Sequence, residues 1–306
     1  MTKTSLPYVG RFAPSPSGPL HFGSLLAGVA SYCDAKAQGG RWLVRIEDLD
    51  PPREPAGTAA IILDQLLAFG LQWDGDVLYQ SERLDAYAAA LTQLANEGLC
   101  FRCECTRADL RAQGNVYSGH CRAQGVSARD LQYGDSRGDR AEAALRVRVS
   151  DQQVAVDDRV QGRFEQALKK EVGDFVVRRK DGLFAYQLAV VVDDAFQGIT
   201  DIVRGIDLLD STPRQLCLQR YLNLPEPRYA HIPVIVDTHG DKLSKQSFAP
   251  AVDTTQASRL LLRCLELLGQ QPTAALSSAA PDEILSWAVT HWDMQQVPKL
   301  ATLSET

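Results

Sequence analysis

The sequence predicts an α/β fold built on a doubly wound parallel sheet, interrupted by a smaller α+β segment. Apolar strand-like runs alternate with amphipathic helical stretches up to about residue 98. A polar segment rich in cysteine follows, and dense apolar runs return after residue 174. Strands that alternate with helices are typical of a parallel sheet. With 306 residues, the chain is long enough for about two domains.

The remaining elements follow from hydrophobic periodicity and turn residues. A helix at 84–95 shows an apolar stripe, with Ser81 as its expected N-cap and Gly98 at its end. Two short strands are expected around the Asp-Gly turn within 175–186. The same reasoning predicts helices at 24–36, 59–69, 258–268 and 281–292, strands at 8–12, 41–50, 144–149, 199–207 and 229–236, and a frayed C-terminal end.

Composition narrows the class of protein. A formal net charge of −6 argues against a protein that coats nucleic acid nonspecifically, but it allows a local basic patch. Seven cysteines, an odd number, indicate a reducing cytosol rather than a disulfide framework. No apolar run reaches the ~18–20 residues that a membrane span needs, and the first residues lack the apolar core of a signal peptide. We therefore expect a cytoplasmic monomer without a membrane partner.

The stretch RFAPSPSGPLHFGS, from Arg11 to Ser24, joins the first strand to the first helix. It contains three prolines and two glycines, too many for either regular element. Glycine lets a ligand come close to the backbone, and the first turn of the following helix presents N–H groups that suit phosphate oxygens. The stretch therefore predicts either a phosphate-binding loop or an ordinary strand-to-helix connection.

A second loop, KLSKQ from Lys242 to Gln246, follows the apolar run at 229–236. Lys242 and Lys245 lie beside a glycine-containing turn, and two cations suit the phosphates of ATP as pyrophosphate leaves. A lysine loop alone would carry little information.

Together, the two loops resemble the paired signature motifs of class I glutamyl-tRNA synthetases, usually quoted as HIGH and KMSKS. The resemblance extends over residues 8 to about 250, with both motifs in the expected order. The chain departs from the motifs at Phe22, Ser24 and Gln246. The resemblance implies a Rossmann-type parallel sheet and an enzyme that uses ATP with Mg²⁺ to activate L-glutamate.

The same resemblance assigns roles to residues of the two loops and of neighbouring strands. It assigns catalytic roles to His21, Lys242 and Lys245. It assigns ATP binding to Pro14, His21, Gly23, Ser24 and Lys245. It assigns glutamate binding to Arg11, Ala13, Ser15, Glu47, Tyr186 and Arg204.

For two of the glutamate-binding positions, the assigned role can be compared with an alternative on chemical grounds. Glu47 follows an apolar strand and is assigned by resemblance to the substrate's amino group, although an acidic loop at a strand end is also common on protein surfaces. Arg204 is assigned to the side-chain carboxylate, which a guanidinium binds with two parallel hydrogen bonds. Arg204 could instead form an internal ion pair with Asp201 or Asp207.

Cysteines and possible partners cluster between residues 100 and 121, within CFRCEC and YSGHC. Three thiolates supply most of a tetrahedral Zn²⁺ shell. Chemistry favours His120 as the fourth ligand, with Cys100 also near in sequence. The family pattern instead implies a structural zinc site formed by Cys103, Cys105, Tyr117 and Cys121. Buried thiols without a metal are the remaining alternative.

The resemblance also implies the domain organisation. We expect the first half of the catalytic domain at 1–98, an inserted zinc-containing segment at 99–173, the second half at 174–250 and a short helical region at 251–306. An anticodon-binding domain is not expected, because too few residues follow the second motif. A basic run at 169–180 could contact a tRNA backbone or could simply be a solvated face.

This short architecture resembles the paralogues of glutamyl-tRNA synthetases that transfer glutamate to queuosine in the anticodon of tRNA(Asp). The expected partners are therefore L-glutamate, ATP and a tRNA(Asp) bearing queuosine. The alternative is a truncated glutamyl-tRNA synthetase that charges a tRNA 3′ end. A catalytically silent zinc-containing RNA-binding paralogue is a third interpretation, which predicts no glutamate-dependent pyrophosphate exchange.

Overall fold

The structure is a computed structural model. It describes residues 7–112, 114, 116–127, 131, 143–237, 240, 242–243 and 250–304. Lys245 and Gln246 of the second motif lie outside the described residues.

The first half of the chain forms a three-stranded parallel sheet flanked by helices. Its strands pair in the order β1, β2, β3, and β1 and β2 are almost wholly buried, as expected for parallel strands covered on both faces. The elements are β1 (Val9–Phe12), α1 (Phe22–Ala37), β2 (Arg41–Ile46), α2 (Thr58–Ala68), β3 (Leu78–Tyr79) and α3 (Leu84–Asn96). Ser81 does not cap α3, because its hydroxyl donates to Asp48 instead.

The second half adds two more parallel strands beside β1. Strand β9 pairs with β10, and the Thr200 N–H donates to the Val9 carbonyl at 2.9 Å, which joins the two halves. The elements are α6 (Tyr186–Phe196), β9 (Asp201–Gly205), α7 (Thr212–Tyr221) and β10 (Arg228–Ile232). The predicted α/β architecture with a parallel sheet is therefore confirmed.

An α+β segment lies between these halves, as predicted. Its antiparallel sheet has the order β4, β5, β8, and a separate hairpin is formed by β6 and β7. The elements are β4 (Cys100–Cys103), α4 (Arg107–Ala112), β5 (Ala144–Val147), β6 (Gln153–Asp158), β7 (Gly162–Ala167), α5 (Leu168–Glu171) and β8 (Phe175–Arg178). The second strand expected before residue 186 is only an isolated bridge between Phe184 and Arg178, and α6 begins two residues later.

The hairpin of the inserted segment packs back on the parallel sheet. The Arg159 N–H donates to the Tyr229 carbonyl of β10 at 2.9 Å, and Arg159 also pairs with Asp34 of α1. The segment is thus joined to the parallel sheet and to α1 by partly buried contacts. The domain limits at residues 98, 173 and 250 stay a prediction.

The C-terminal region is helical, but its end is not frayed. It contains α8 (Ala257–Leu267), α9 (Pro281–His291) and β12 (Thr302–Ser304). Strand β12 pairs in parallel with β11 (Val234–Val236), which is separated from β10 by Pro233 because proline has no N–H for a sheet. Among the described residues, no helix combines the length and apolar character that a membrane crossing requires.

Candidate active site

A cavity of about 660 Å³ opens where the loops after β1 and β9 meet the start of α1. This volume is within the ordinary range for small-molecule sites. The described residues that the sequence singled out for glutamate and ATP all line it: Arg11, Ala13, Pro14, Ser15, His21, Gly23, Ser24, Glu47, Tyr186, Arg204 and Lys242. The structure therefore brings these residues together, while Lys245 lies outside the described part of the chain.

His21 caps the N-terminus of α1 in the cavity wall. Its Nδ1 accepts a hydrogen bond from the Ser24 N–H at 3.3 Å, so the proton of a neutral ring is on Nε2. A Cβ added to Gly23 would lie 3.2 Å from the His21 ring and 3.7 Å from the Leu243 carbonyl. The lysine loop thus lies close to the first turn of α1, whose N–H groups and dipole favour an anion.

Lys242 is tethered by an acidic side chain that sequence reasoning did not pair with it. Its Nζ donates to Asp207 Oδ2 at 2.5 Å, and both side chains are more than one-third exposed. A Cβ at Gly205 would lie only 2.5 Å from Asp207 Oδ1, so glycine is required for Asp207 to fold back over the end of β9. The contact holds the described end of the lysine loop at the cavity mouth.

Arg204 presents a buried guanidinium to the cavity. Its contacts are with neutral groups: Nε donates to His231 Nε2 at 3.0 Å, and its terminal nitrogens donate to the side-chain oxygens of Tyr186, Thr212 and Gln215. No carboxylate of a described residue lies within ion-pair distance of it. The internal ion pair left open by the sequence is therefore not formed, since Asp201 pairs with Arg159 and Arg228 while Asp207 pairs with Lys242.

A network of charges positions the opposite group, Glu47. Arg45 lies at its centre, donating to Asp194 at 2.8 Å and to Glu47 at 3.3 Å. Arg11 donates through Nε to the same Asp194 oxygen at 3.2 Å. Burial raises the pKa of Glu47 above its usual value, although Arg45 and Arg11 oppose the shift. Burial also acts to raise the pKa of Asp194, but Arg11 and Arg45 hold it below its usual range.

Sequence reasoning missed Arg45 and Asp194, which do not line the main cavity but contact Glu47 and Arg11, which do. The signal for Arg45 was an arginine inside the apolar run of β2, RWLVRI, where a fully buried cation needs an anionic partner. The signal for Asp194 was weaker. It is one of two adjacent aspartates that follow the apolar run of α6, and both are buried.

The cysteine cluster forms a compact donor set away from the main cavity. The sulfurs of Cys103, Cys105 and Cys121 lie within 4.8 Å of one another, with Cys105 and Cys121 at 3.6 Å. The Tyr117 hydroxyl lies 3.6 Å from Cys103 Sγ. A tetrahedral zinc shell separates two sulfurs by roughly 3.8 Å and a sulfur from an oxygen by roughly 3.6 Å, so the donors fit the ion.

The two other candidates for the fourth zinc ligand do not join this cluster. His120 is exposed and lines a small cavity beside Cys105 and Cys121. Cys100 packs in a separate apolar core with Leu145 and Val147 of β5. The geometry thus favours Tyr117 as the fourth donor.

Two of the five cations in the basic run at 169–180 pair with neighbouring carboxylates. Lys169 pairs with Asp151 at 2.7 Å, and Arg179 pairs with Asp181 at 2.6 Å. A contact of this run with a tRNA backbone stays a prediction.

Comparison with known proteins gives matches that cover nearly the whole chain. Residues 8–296 match the family model described as tRNA synthetases class I (E and Q), catalytic domain. A Pseudomonas aeruginosa protein named glutamyl-Q tRNA(Asp) synthetase is 54% identical over 298 residues, which cover 97% of this chain and 98% of that protein. A protein of the same name from Pseudomonas fluorescens is 51% identical over 302 residues, which cover 99% of this chain and 97% of that protein.

Solved structures show the same fold. The glutamate-tRNA synthetase of Elizabethkingia anophelis superposes with a TM-score of 0.79 at 23% identity, over 98% of this chain and 68% of that chain. A glutamate tRNA ligase from Elizabethkingia meningosepticum, in complex with its amino acid, superposes with a TM-score of 0.77 at 24% identity. The match covers 97% of this chain and 67% of that chain.

Proposed function

We propose that this chain, which belongs to the class I tRNA synthetase family for glutamate and glutamine, activates L-glutamate with ATP and transfers the glutamyl group to queuosine in the anticodon of tRNA(Asp). One observation carries the choice of amino acid. Arg204, a buried cation with no carboxylate partner among the described residues, lines the same cavity as Glu47 and the capped N-terminus of α1.

Glutamate recognition follows from the charges that line the cavity. The Arg204 guanidinium binds the side-chain carboxylate, which a neutral glutamine amide replaces poorly because it lacks both the charge and the second acceptor oxygen. Glu47 accepts hydrogen bonds from the ammonium group. Arg11 adds a second cation, and Tyr186 closes the pocket beside Arg204.

Activation requires an α-carboxylate oxygen to attack the α-phosphorus of ATP as pyrophosphate leaves. Negative charge on the phosphates is stabilised by the first turn of α1, by the Nε2–H of His21 and by Lys242. Lys245 supplies a further cation in this proposal. A Mg²⁺ ion bound with the nucleotide would reduce the negative charge on its phosphates.

Transfer then forms an ester between the glutamyl carbonyl and a ring hydroxyl of queuosine, and AMP leaves. No side chain has to act as a covalent nucleophile, so positioning and electrostatics supply the catalysis. In the inserted segment, Cys103, Cys105, Tyr117 and Cys121 would hold a structural zinc ion, which would cross-link residues 103 to 121.

Transfer of radiolabelled glutamate to two tRNA(Asp) samples, with and without queuosine, tests the proposal. We expect incorporation only into the sample that carries the modified base. Equal incorporation into both would favour the alternative, a glutamyl-tRNA synthetase that charges the 3′ end. The 54% identity to a relative of matching length supports the queuosine reaction over that alternative.

A further inference from the structure

His231 is a buried histidine that connects the glutamate pocket to the inserted hairpin. It is the fourth of the five residues of β10 and is completely buried. Its Nε2 accepts the Nε–H of Arg204 at 3.0 Å, and its Nδ1 lies 2.6 Å from Asp158 Oδ2 at the end of β6. Asp158 itself does not line the main cavity.

These contacts fix which ring nitrogen of His231 carries the proton. A guanidinium can only donate, so Nε2 must offer its lone pair to Arg204. The proton is therefore on Nδ1, where it is donated to the Asp158 carboxylate.

Backbone groups hold Asp158 in the orientation that this arrangement needs. Its Oδ1 accepts the N–H groups of Val160 at 3.0 Å, Gln161 at 2.9 Å and His231 at 3.1 Å. With Oδ1 saturated, Oδ2 is left to accept from the histidine ring. The pair is thus pre-organised before any substrate arrives.

We infer that Asp158 and His231 are positioning residues for glutamate specificity: Asp158 sets the tautomer of His231, and His231 orients Arg204 toward the substrate carboxylate. This inference rests on the proposed function. It assigns the inserted hairpin a part in amino-acid selection, since β6 supplies the carboxylate on which the arrangement depends.

The surroundings of His231 keep its ring neutral near pH 7. The charged and titratable groups that face it are Asp158 from β6, Arg204 from β9, Asp207 from the turn after β9 and Tyr229 on its own strand. Burial lowers the pKa of His231 below its usual value, although Asp158 opposes the shift. As the pH falls through this lowered value, Nε2 gains a proton and can no longer accept from Arg204.

The substitution Asp158→Asn tests the tautomer directly. Because Oδ1 already accepts three backbone N–H groups, the amide oxygen takes that position and the NH₂ group faces His231 Nδ1. The ring must then carry its proton on Nε2, where it opposes the Arg204 Nε–H. We expect the KM for glutamate in pyrophosphate exchange to rise about 10- to 100-fold while the KM for ATP stays within about twofold.

Nitrogen-15 NMR of selectively labelled histidine provides a readout that does not depend on activity. We expect His231 to be protonated on Nδ1 in the wild type and on Nε2 in Asp158→Asn. A reversed tautomer with an unchanged KM for glutamate would overturn the inference, as would an unchanged tautomer in a folded variant.

If Asp158→Asn does not fold, two amide variants at residue 231 test whether an acceptor at the Nε2 position orients Arg204. His231→Gln places an acceptor oxygen near the position of Nε2, whereas His231→Asn reaches only the position of Nδ1. We expect the KM for glutamate to be at least about tenfold lower in the Gln variant than in the Asn variant. Equal values would indicate a packing role alone. A wild-type protein that activates no glutamate would refute the proposed function, and the nitrogen shifts would still test the tautomer.

Discussion

Replacing Arg204 with glutamine is expected to separate function from stability. Glutamine keeps an uncharged amide donor but removes the charge, the forked geometry and the reach of the terminal nitrogens. Removing one partner from a buried, hydrogen-bonded charge pair costs about 3–5 kcal/mol. If glutamate supplies the other partner, its kcat/KM should fall by roughly 10²- to 4 × 10³-fold.

The stability of the ligand-free protein should change far less. Arg204 is a desolvated cation with no carboxylate beside it in the described part of the chain, so its removal relieves a cost of several kcal/mol. Against this, acceptors such as His231 Nε2 and Gln215 Oε1 lose a donor, at about 1–3 kcal/mol each. The two effects oppose each other, so we expect a change in Tm of only a few degrees.

Arg159→Gln provides a matched control. Arg159 pairs with the buried Asp34, outside the main cavity. This variant should lose stability and keep the wild-type KM for glutamate, which is the opposite pattern. Glutamate-dependent ATP–pyrophosphate exchange, with and without tRNA, and thermal unfolding measure both quantities. Normal saturation of Arg204→Gln by glutamate would refute the assignment of the pocket.

Three other predictions concern the phosphate site, the amino-group site and the metal. Lys242→Ala should slow adenylate formation about 100-fold in pyrophosphate exchange, whereas Lys169→Ala, which removes a paired surface lysine elsewhere, should not. Glu47→Gln should weaken the loss of glutamate affinity at acid pH, because protonation of Glu47 as the pH falls through its raised pKa removes an acceptor for the ammonium group. The part of the loss that comes from protonation of His231 should remain. Purified protein should contain one equivalent of zinc, which Cys105→Ser should release and Cys33→Ser should retain.

Each of these has a contradicting result. Equal exchange rates in the two lysine variants would remove Lys242 from the phosphate site. A KM for glutamate with the same acid dependence in Glu47→Gln would assign that dependence to another group. Metal-free wild-type protein with the same Tm as protein loaded with zinc would refute the metal site.

The sequence predicted the main cavity well because its parts are short motifs at the ends of parallel strands. Such strand ends meet at one edge of the sheet, so residues as far apart as His21 and Arg204 converge whatever the details of packing. The proximity of the four proposed zinc ligands was predicted for a similar reason, since all four lie between residues 103 and 121, and their binding of zinc stays a prediction.

Contacts that depend on tertiary packing were not predicted. Lys242 and Asp207 meet because Gly205 lets the chain fold back, and local propensity does not encode that approach. His231 and Asp158 are 73 residues apart and meet only when the hairpin packs on β10. A histidine inside the apolar run YAHIPVIV was the one available signal. The pairing of β12 with β11 was missed because the sequence of a three-residue strand does not indicate which strand it pairs with or in which register.

The position of the glutamyl group on the tRNA tests the central claim most directly. After reaction with tRNA(Asp) that contains queuosine, nuclease digestion and mass spectrometry should find one glutamyl group on the fragment that carries the anticodon and none on the 3′-terminal adenosine. A glutamyl group on the 3′-terminal adenosine, with an unmodified anticodon fragment, would contradict the account.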